Sequence, residues 1–409
     1  MHRAALALAF GALCLTLSCS ATQEKAPPEA EMPLQEKGEH AFALNLYAKL
    51  RKPGENLFFS PFSITTALAM TYAGARGNTA AQMAQACAFD LPPERLHAHF
   101  AALIADLTSK ERKAGTYYEF LVANALWGQQ GFGFRKKFLD LVQASYGGGL
   151  RQVDFAQPEA SRQTINRWAA EQTGGKITGL IPGGVLSRDT VLVLTNAMYF
   201  KGKWAFPFNG PSTRDEPFTL LNGEKVSVPM MHQVQEISCK YTAGEDCQVL
   251  ELPYKGREVA MVILLPKEAD GLPAVEKSLT GNNMPKRLSA LAPREVDVSL
   301  PRFTITRDFR LDETLKFLGM TDAFAPGAAD FTGMRAEGGI WIDAVLHKAF
   351  VEVNEVGTEA AAATAVEIMK SEPMEQPPIF RADHPFLFLI RDTKSGTVLF
   401  MGRVMNPKD

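Results

Sequence analysis

The side chains best suited to chemistry in this 409-residue chain are seven histidines and five cysteines, and their spacing argues against catalysis. A serine hydrolase built on a strand-to-helix elbow carries Gly-x-Ser-x-Gly, and the sequence has none. His-Glu-x-x-His and Cys-x-x-Cys are also missing, as is any Gly-rich phosphate cradle. His97 and His99 stand one residue apart on a predicted helix and face different ways, and His232, His347 and His384 are each isolated. Histidines of this kind are expected to be hydrogen-bonded parts of the scaffold. No catalytic residue, metal ligand or cofactor is assigned, and an enzyme is not expected.

Cys239 and Cys247 flank a predicted hairpin turn centred near Ala243, which would set them directly opposite. In an oxidising compartment they would bridge, and otherwise they remain two thiols. Cys87 lies in an Ala-rich helical stretch and is expected to be a small buried apolar residue.

The stretch that departs most from ordinary composition is residues 352–368, EVNEVGTEAAAATAVEI. One set of alternate residues is Thr358, Ala360, Ala362, Thr364, Val366 and Ile368, all small or apolar. The other is Glu359, Ala361, Ala363, Ala365, Glu367 and Met369, which holds both acids. As a strand, the segment has one uncharged face fit for burial. Ala is also the best helix former, and a helix would likewise put both acids on one broad face. Periodicity leaves both conformations open.

The elements around this stretch read as one α/β body. Apolar runs at 344–353 and 385–390 bracket it as strands. Residues 39–50, 63–73, 79–88, 93–107, 134–146, 159–173 and 309–318 have helical patterns, and Ser60-Pro61 supplies a cap and first turn. Residues 120–127 read as a buried strand, and 191–200 as a central strand covered on both faces. Further strands are predicted at 226–241, 247–254, 259–265 and 296–305. Helices gathered early and strands late predict an α+β fold. Hydrophobic residues make up 46% of the chain and the net charge is −2, so no general attraction to nucleic acid is expected.

The N-terminus reads as a targeting segment. Arg3 precedes an apolar run at residues 4–17, short for a membrane span but suited to a secretory signal. Ser18-Cys19 then fits a bacterial lipoprotein signal over residues 1–19, with Cys19 lipidated, although Thr16 departs from that pattern. Plain secretion with cleavage after Ala21 is the alternative. Residues 20–38 are polar and Pro-containing, a flexible tether. The chain is expected to be exported, either anchored to the outer membrane by its lipid or secreted or periplasmic. Lys110, Arg112 and Lys113 form a basic cluster broken by Glu111, read as a solvated turn.

Residues 354–364, Asn-Glu-Val-Gly-Thr-Glu-Ala-Ala-Ala-Ala-Thr, resemble the hinge of the reactive-centre loop of serpins, the serine protease inhibitors. Other motifs agree, in the family's order, across residues 38–407. Residues 56–64 (NLFFSPFSI) resemble the early signature, and 195–204 (TNAMYFKGKW) resemble the central strand. Residues 383–386 (DHPF) through 400–404 (FMGRV) resemble the C-terminal one.

The resemblance implies a domain over residues 39–409. Helices would pack around a large central mixed sheet, with two further sheets and an exposed loop at about 355–380. By resemblance, Ser60, Ser63, Asn196 and His347 form a polar shutter beneath that sheet, Trp204 marks the breach, and Glu355 pairs with Arg302. The hinge would comprise Glu355, Gly357, Thr358, Glu359, Ala360, Ala361, Ala362, Ala363 and Thr364.

The implied function is suicide inhibition. A target serine protease cleaves the loop, stays esterified to it, and is carried off as the loop inserts into the sheet. Residues 357–370, fourteen of them, span about 46 Å as a strand, against a radius of gyration of about 21 Å for a chain of this size. The expected scissile bond is Lys370–Ser371, suited to a trypsin-like protease, with Ser371–Glu372 and bonds after Met369 or Met374 left open. A cysteine protease is a further possible partner, and a monomer is expected. The alternative function is a carrier or surface-interaction protein of the same fold that does not inhibit.

Overall fold

In a computed structural model the described residues are 34–111, 118–235, 239–357 and 376–409. The predicted tether, Cys19, residues 112 and 113 of the basic cluster, the hinge from Thr358 onward and all three scissile candidates at Lys370, Ser371 and Glu372 lie outside them, apart from the helical residues noted below.

The chain opens with α1 (Leu34–Leu50), β1 (Leu57–Phe59), α2 (Pro61–Tyr72), α3 (Gly77–Cys87) and α4 (Pro93–Glu111). Next come β2 (Tyr118–Gln129), α5 (Lys136–Tyr146), β3 (Leu150–Val153), α6 (Pro158–Gln172) and β4 (Leu192–Gly202). Then follow β5 (Arg214–Thr219), β6 (Lys225–Gln235), β7 (Lys240–Ala243), β8 (Cys247–Pro253) and β9 (Val259–Pro266). After α7 (Leu272–Ser278) and α8 (Asn283–Ser289) come β10 (Ala292–Pro293), β11 (Val296–Pro301), β12 (Phe303–Arg310) and α9 (Asp312–Phe317). The chain ends with β13 (Ala344–Val353), β14 (Ile379–Arg381), β15 (Phe386–Asp392) and β16 (Val398–Val404).

These strands build three sheets. The central one has the order β12-β13-β4-β2-β3 and is mixed. Its β13–β4 pair is parallel, flanked on both sides by antiparallel pairs. A seven-stranded antiparallel sheet runs β1-β16-β15-β9-β8-β7-β10, and a four-stranded sheet runs β14-β11-β6-β5. The α+β expectation holds, and β4 is the middle strand of its sheet, buried at all but one of its residues.

Alternation sorts the central sheet's residues. Met198, Phe200, Ala349, Val351 and Val353 pack toward the core shared with the other sheets. Val193, Ala197 and Leu346 point the opposite way, into clusters completed by Ile165 and Ala169 of α6. Ser60 caps α2 by accepting the Ser63 N–H, and Pro61 fills the first helical position where no N–H is needed.

Several boundaries differ from expectation. The helix α1 begins at Leu34, so residues 34–38 belong to it and not to a tether. Lys110 and Glu111 fall in the last turn of α4 and not in a loop. Phe309 and Arg310 end β12, and the helix starts only at Asp312. The predicted strand at 296–305 is two, β11 and β12, in different sheets, with Pro301 ending one and Arg302 at the crossing. Residues 226–241 likewise split into β6 and β7.

The cysteine pairing fails for a reason of register. Tyr241 lies opposite Leu250 and Ala243 opposite Gln248, so the turn occupies residues 244–246. Cys239 then packs with Tyr241 and Leu252, while Cys247 packs with Val249 in a different cluster. A shift of turn centre by about two residues has put the thiols on opposite faces. Cys87, Cys239 and Cys247 are all free and buried.

Candidate functional site

The site lies along the seam between β13 and β4. Their parallel ladder runs from Ala344 beside Val193 to Phe350 beside Tyr199. It stops three residues short of the end of each strand. Parallel pairing is slightly weaker per residue than antiparallel, and here it is already parted at one end.

The chain leaving β13 turns within that parting. Asn354 and Gly357 exchange backbone hydrogen bonds at 2.8 and 3.1 Å, and the Asn354 side chain accepts the Val356 N–H at 3.2 Å. Gly357 also bridges antiparallel to Lys203, just beyond β4. Its φ is +142°, and a Cβ there would stand 2.0 Å from Gly202 O and 2.6 Å from Lys203 Cα. Both contacts are backbone, so only glycine fits.

Trp204 anchors this turn. Its ring stacks on Tyr254 at 4.6 Å, its Nε1 donates to Asn354 O at 2.9 Å, and its backbone N donates to Val356 O at 2.8 Å. Glu355 is held from several directions. Phe208 N donates to its carbonyl at 2.8 Å, and Thr213 Oγ1 donates to its carboxylate at 2.5 Å. Arg302 Nε donates to both carboxylate oxygens, at 2.7 and 2.8 Å. Burial alone would raise the Glu355 pKa, but the Arg302 and Thr213 hydrogen bonds outweigh it and hold the group below the usual Glu range. The expected Arg302–Glu355 pair is therefore present. Phe208 and Thr213 were not foreseen, and little marks them in the sequence.

Lower on the seam, three polar residues line up across three strands. Asn124 of β2 lies beside Asn196 of β4, which lies beside His347 of β13. Two of them reach α2. Ser60 N donates to His347 Nε2 at 3.0 Å, and Ser63 Oγ donates to Asn124 Oδ1 at 2.6 Å. Ser60 Oγ donates to Leu399 O at 2.6 Å, tying the same group to β16. Asn124 was missed at the sequence level, although a lone amide inside the apolar run 120–127 was a readable signal.

The group is incompletely satisfied. Burial pushes His347 down to about 3, so the ring is neutral, and because Nε2 accepts from Ser60 its proton sits on Nδ1. That Nδ1 has no partner, and neither has Asn196 Oδ1 on the neighbouring strand. One is a donor and the other an acceptor. Buried polar groups left so cost about 1–3 kcal/mol each.

Among the described residues, other histidines make hydrogen bonds within the fold. His97 Nδ1 meets the Tyr146 hydroxyl at 2.6 Å, His99 meets Glu39, and His384 Nε2 meets Pro266 O at 2.8 Å. His232 has Ser299 Oγ at 3.1 Å and Glu216 Oε1 at 3.0 Å, the residue types of a hydrolytic triad. Its Nε2 makes no hydrogen bond, Ser299 is 5% exposed, and Arg214 and Arg381 engage Glu216. Among the described residues no His, Cys, Asp and Glu group could hold a metal ion, and no helix is long and apolar enough to cross a membrane.

Comparison with known proteins agrees with this geometry. The family model described as serpin (serine protease inhibitor) matches residues 37–407. The chain belongs to the serpin family. It is 42% identical to human leukocyte elastase inhibitor over 380 residues, covering 90% of this chain and 97% of that protein. Among solved structures, the thermophilic serpin tengpin in its native state superposes with a TM-score of 0.81 at 28% identity, covering 90% of this chain and 93% of that one. Human thyroxine-binding globulin complexed with its ligand superposes at 0.79 with 31% identity, covering 92% and 99%. The serpin fold thus accommodates both an inhibitor's name and a carrier's.

Proposed function

We infer that this serpin is inhibitory and works by inserting its cleaved loop into the β13–β4 seam. The observation that carries the inference is the double bridge at Gly357, to Asn354 on one side and Lys203 on the other. These two bridges keep the same offset between strands as the β13–β4 ladder itself. A chain continuing straight from Gly357 would therefore run antiparallel to both strands and in register with both. It would replace one parallel ladder with two antiparallel ones.

That register has a consistent chemistry. Thr358 would fall opposite Val353, Ala360 opposite Val351, Ala362 opposite Ala349 and Thr364 opposite His347. Those partners face the packed core, so the small uncharged set would be the buried one. Thr364 would also come level with Asn196, placing one hydroxyl between the unpartnered His347 Nδ1–H and Asn196 Oδ1.

The reaction begins on the protease. Its serine hydroxyl attacks the scissile carbonyl, an ester forms, the peptide bond breaks, and the new amine leaves with the C-terminal fragment. Insertion then carries the esterified residue about 40 Å along the seam, at about 3.3 Å per residue, before water can cleave the ester. Lys370–Ser371 remains the proposed bond and a trypsin-like enzyme the proposed target, although the relative's name points to an elastase, which Met369 would suit. Export through the N-terminal segment, with a lipid on Cys19, is part of the same reading.

The test is incubation of a fragment starting at Gln23 with trypsin, elastase and subtilisin, followed by denaturing gels and intact mass. A covalent complex near the summed mass is expected, and the released peptide identifies the bond. Cleavage without a complex and without any gain in stability would overturn inhibition and leave a carrier role.

A further inference from the structure

The lower end of the seam is closed by one residue, through its backbone and its side chain. Asp343, just before β13, donates its N–H to Leu192 O at 2.9 Å. Its Oδ2 accepts the Leu192 N–H at 3.3 Å and the Val191 N–H at 2.7 Å. Its Oδ1 accepts Trp341 Nε1 at 3.0 Å. Asp343 therefore holds both backbone hydrogen-bonding groups of Leu192. A neighbouring acid does a different job: Asp312 accepts the Val345 N–H at 2.7 Å and so ties α9 to β13 without crossing the seam.

The register of the hinge says what else those Leu192 groups are for. Trp204 N already donates to Val356 O, which fixes which residues of β4 turn their N–H and C=O toward an incoming strand: Trp204 and every second residue below it. Leu192 belongs to that series. Twelve residues separate it from Trp204, and the twelfth residue after Val356 is Ile368. In the fully inserted strand, Ile368 C=O and N–H would meet the same Leu192 N–H and C=O that Asp343 occupies now.

We propose that Asp343 is a clasp on the seam, a positioning residue that stands in for Ile368 until insertion is complete and must be displaced for the loop to reach its last register. This rests on the insertion reading. Loss of the clasp opens the lower seam of the uncleaved protein and speeds the final stage of insertion, so that more encounters end in a trapped protease.

The experiment compares the whole secreted-length chain with Asp343→Ala and Asp343→Asn, uncleaved and loop-cleaved. Hydrogen exchange is read at the Leu192 amide, together with the stoichiometry of inhibition against the protease that forms a complex. Expected is faster Leu192 exchange in both uncleaved variants, wild-type protection once cleaved, and a lower stoichiometry. Tryptophan emission adds a second readout: Trp341 donates to the same carboxylate, so release of Asp343 from Leu192 should shift the wild-type spectrum by a component that Trp341→Phe removes. Asp312→Asn destabilises the same pole without crossing the seam and leaves the stoichiometry unchanged.

Two failures are distinguishable. If cleaved wild type gains stability but Leu192 stays open in cleaved Asp343→Ala, the loop never reaches Leu192 and Asp343 merely caps β4. A stoichiometry that rises or stays level in the Asp343 variants also overturns the clasp. If cleaved wild type gains no stability at all, the insertion reading falls and the clasp with it.

Discussion

Replacing Thr364 with Val tests whether the shutter is a receptor for the loop. Val keeps the shape of Thr and removes only the hydroxyl. In the register set at Gly357, that hydroxyl would accept from His347 Nδ1–H and donate to Asn196 Oδ1, the two buried atoms left without partners. Each such bond is worth about 0.5–1.5 kcal/mol net, so the variant should forfeit about 1–3 kcal/mol of the drive for insertion. If half of this is felt as the strand passes the pair, insertion slows about 2- to 12-fold, since each 1.4 kcal/mol is tenfold. Slower insertion gives water more time to free the protease, so the stoichiometry of inhibition should rise. The cleaved variant should also denature at lower guanidinium than cleaved wild type, while the uncleaved proteins match. Equal stoichiometry and equal midpoints after cleavage would refute the argument, because the orphaned pair would then have found satisfaction elsewhere or never met the loop.

Other outcomes follow from the same geometry. Thr358→Arg puts a cation opposite buried Val353, where an unpaired charge costs several kcal/mol, so inhibitor should become substrate; undiminished complex formation would sink the face assignment. Uncleaved protein should lose stability as pH falls. His347 is pushed down to about 3 by burial from 6.5, so below about 6.5 the unfolded chain binds a proton that the fold refuses, and the loss continues toward 3. Urea midpoints between pH 7.5 and 4.5 measure the slope. His347→Gln should flatten it without abolishing it, since burial lowers His40 and His97 too. Cys19→Ser should move the protein from the membrane fraction to the soluble one; retention on membranes would remove the lipid anchor.

What the sequence disclosed depended on whether a signal was local. The near-continuous apolar run of β4 announced a strand buried on both faces, and Ser60-Pro61 announced the start of α2. Where the fold hangs on register, composition was silent. The hairpin of β7 and β8 was recognised, but Gly244-Glu245-Asp246 forms its turn instead of the residues around Ala243, and that difference in register removes the facing geometry that left a Cys239–Cys247 bridge open. The break at Arg302 was likewise hidden, because β11 and β12 both read as strand although they serve different sheets. Glu355, Trp204 and the polar shutter were placed by resemblance, and their partners Thr213, Phe208 and Asn124 emerged only from geometry. The question of helix or strand for residues 358–366 has no local answer. Those residues lie outside the described ones; under the proposed insertion they would form a strand, because the inner face of the seam is lined by Val353, Val351 and Ala349 and suits only the uncharged set.

The two glutamates of the loop test how far that match extends. Glu359 would come level with Glu352 and Lys201, on the outer face near the wide end of the seam, where a cation and solvent can answer its charge. Glu367 would come level with Ala344 and Val193. Both belong to the apolar cluster that Ile165 of α6 completes, with Trp127, Phe155 and Leu346 around them. A carboxylate entering that cluster meets desolvation without a registered partner, and its pKa must rise. Insertion would therefore take up a proton at its last stage and become more favourable as pH falls. Glu367→Gln removes that dependence. At neutral pH the variant should trap more protease per cleavage than wild type, and the two should converge as the pH approaches the ordinary carboxylate range near 4.3. An unchanged stoichiometry across that range would mean that Glu367 never enters the seam, and that insertion halts above Ala344 with the protease held short of the lower pole.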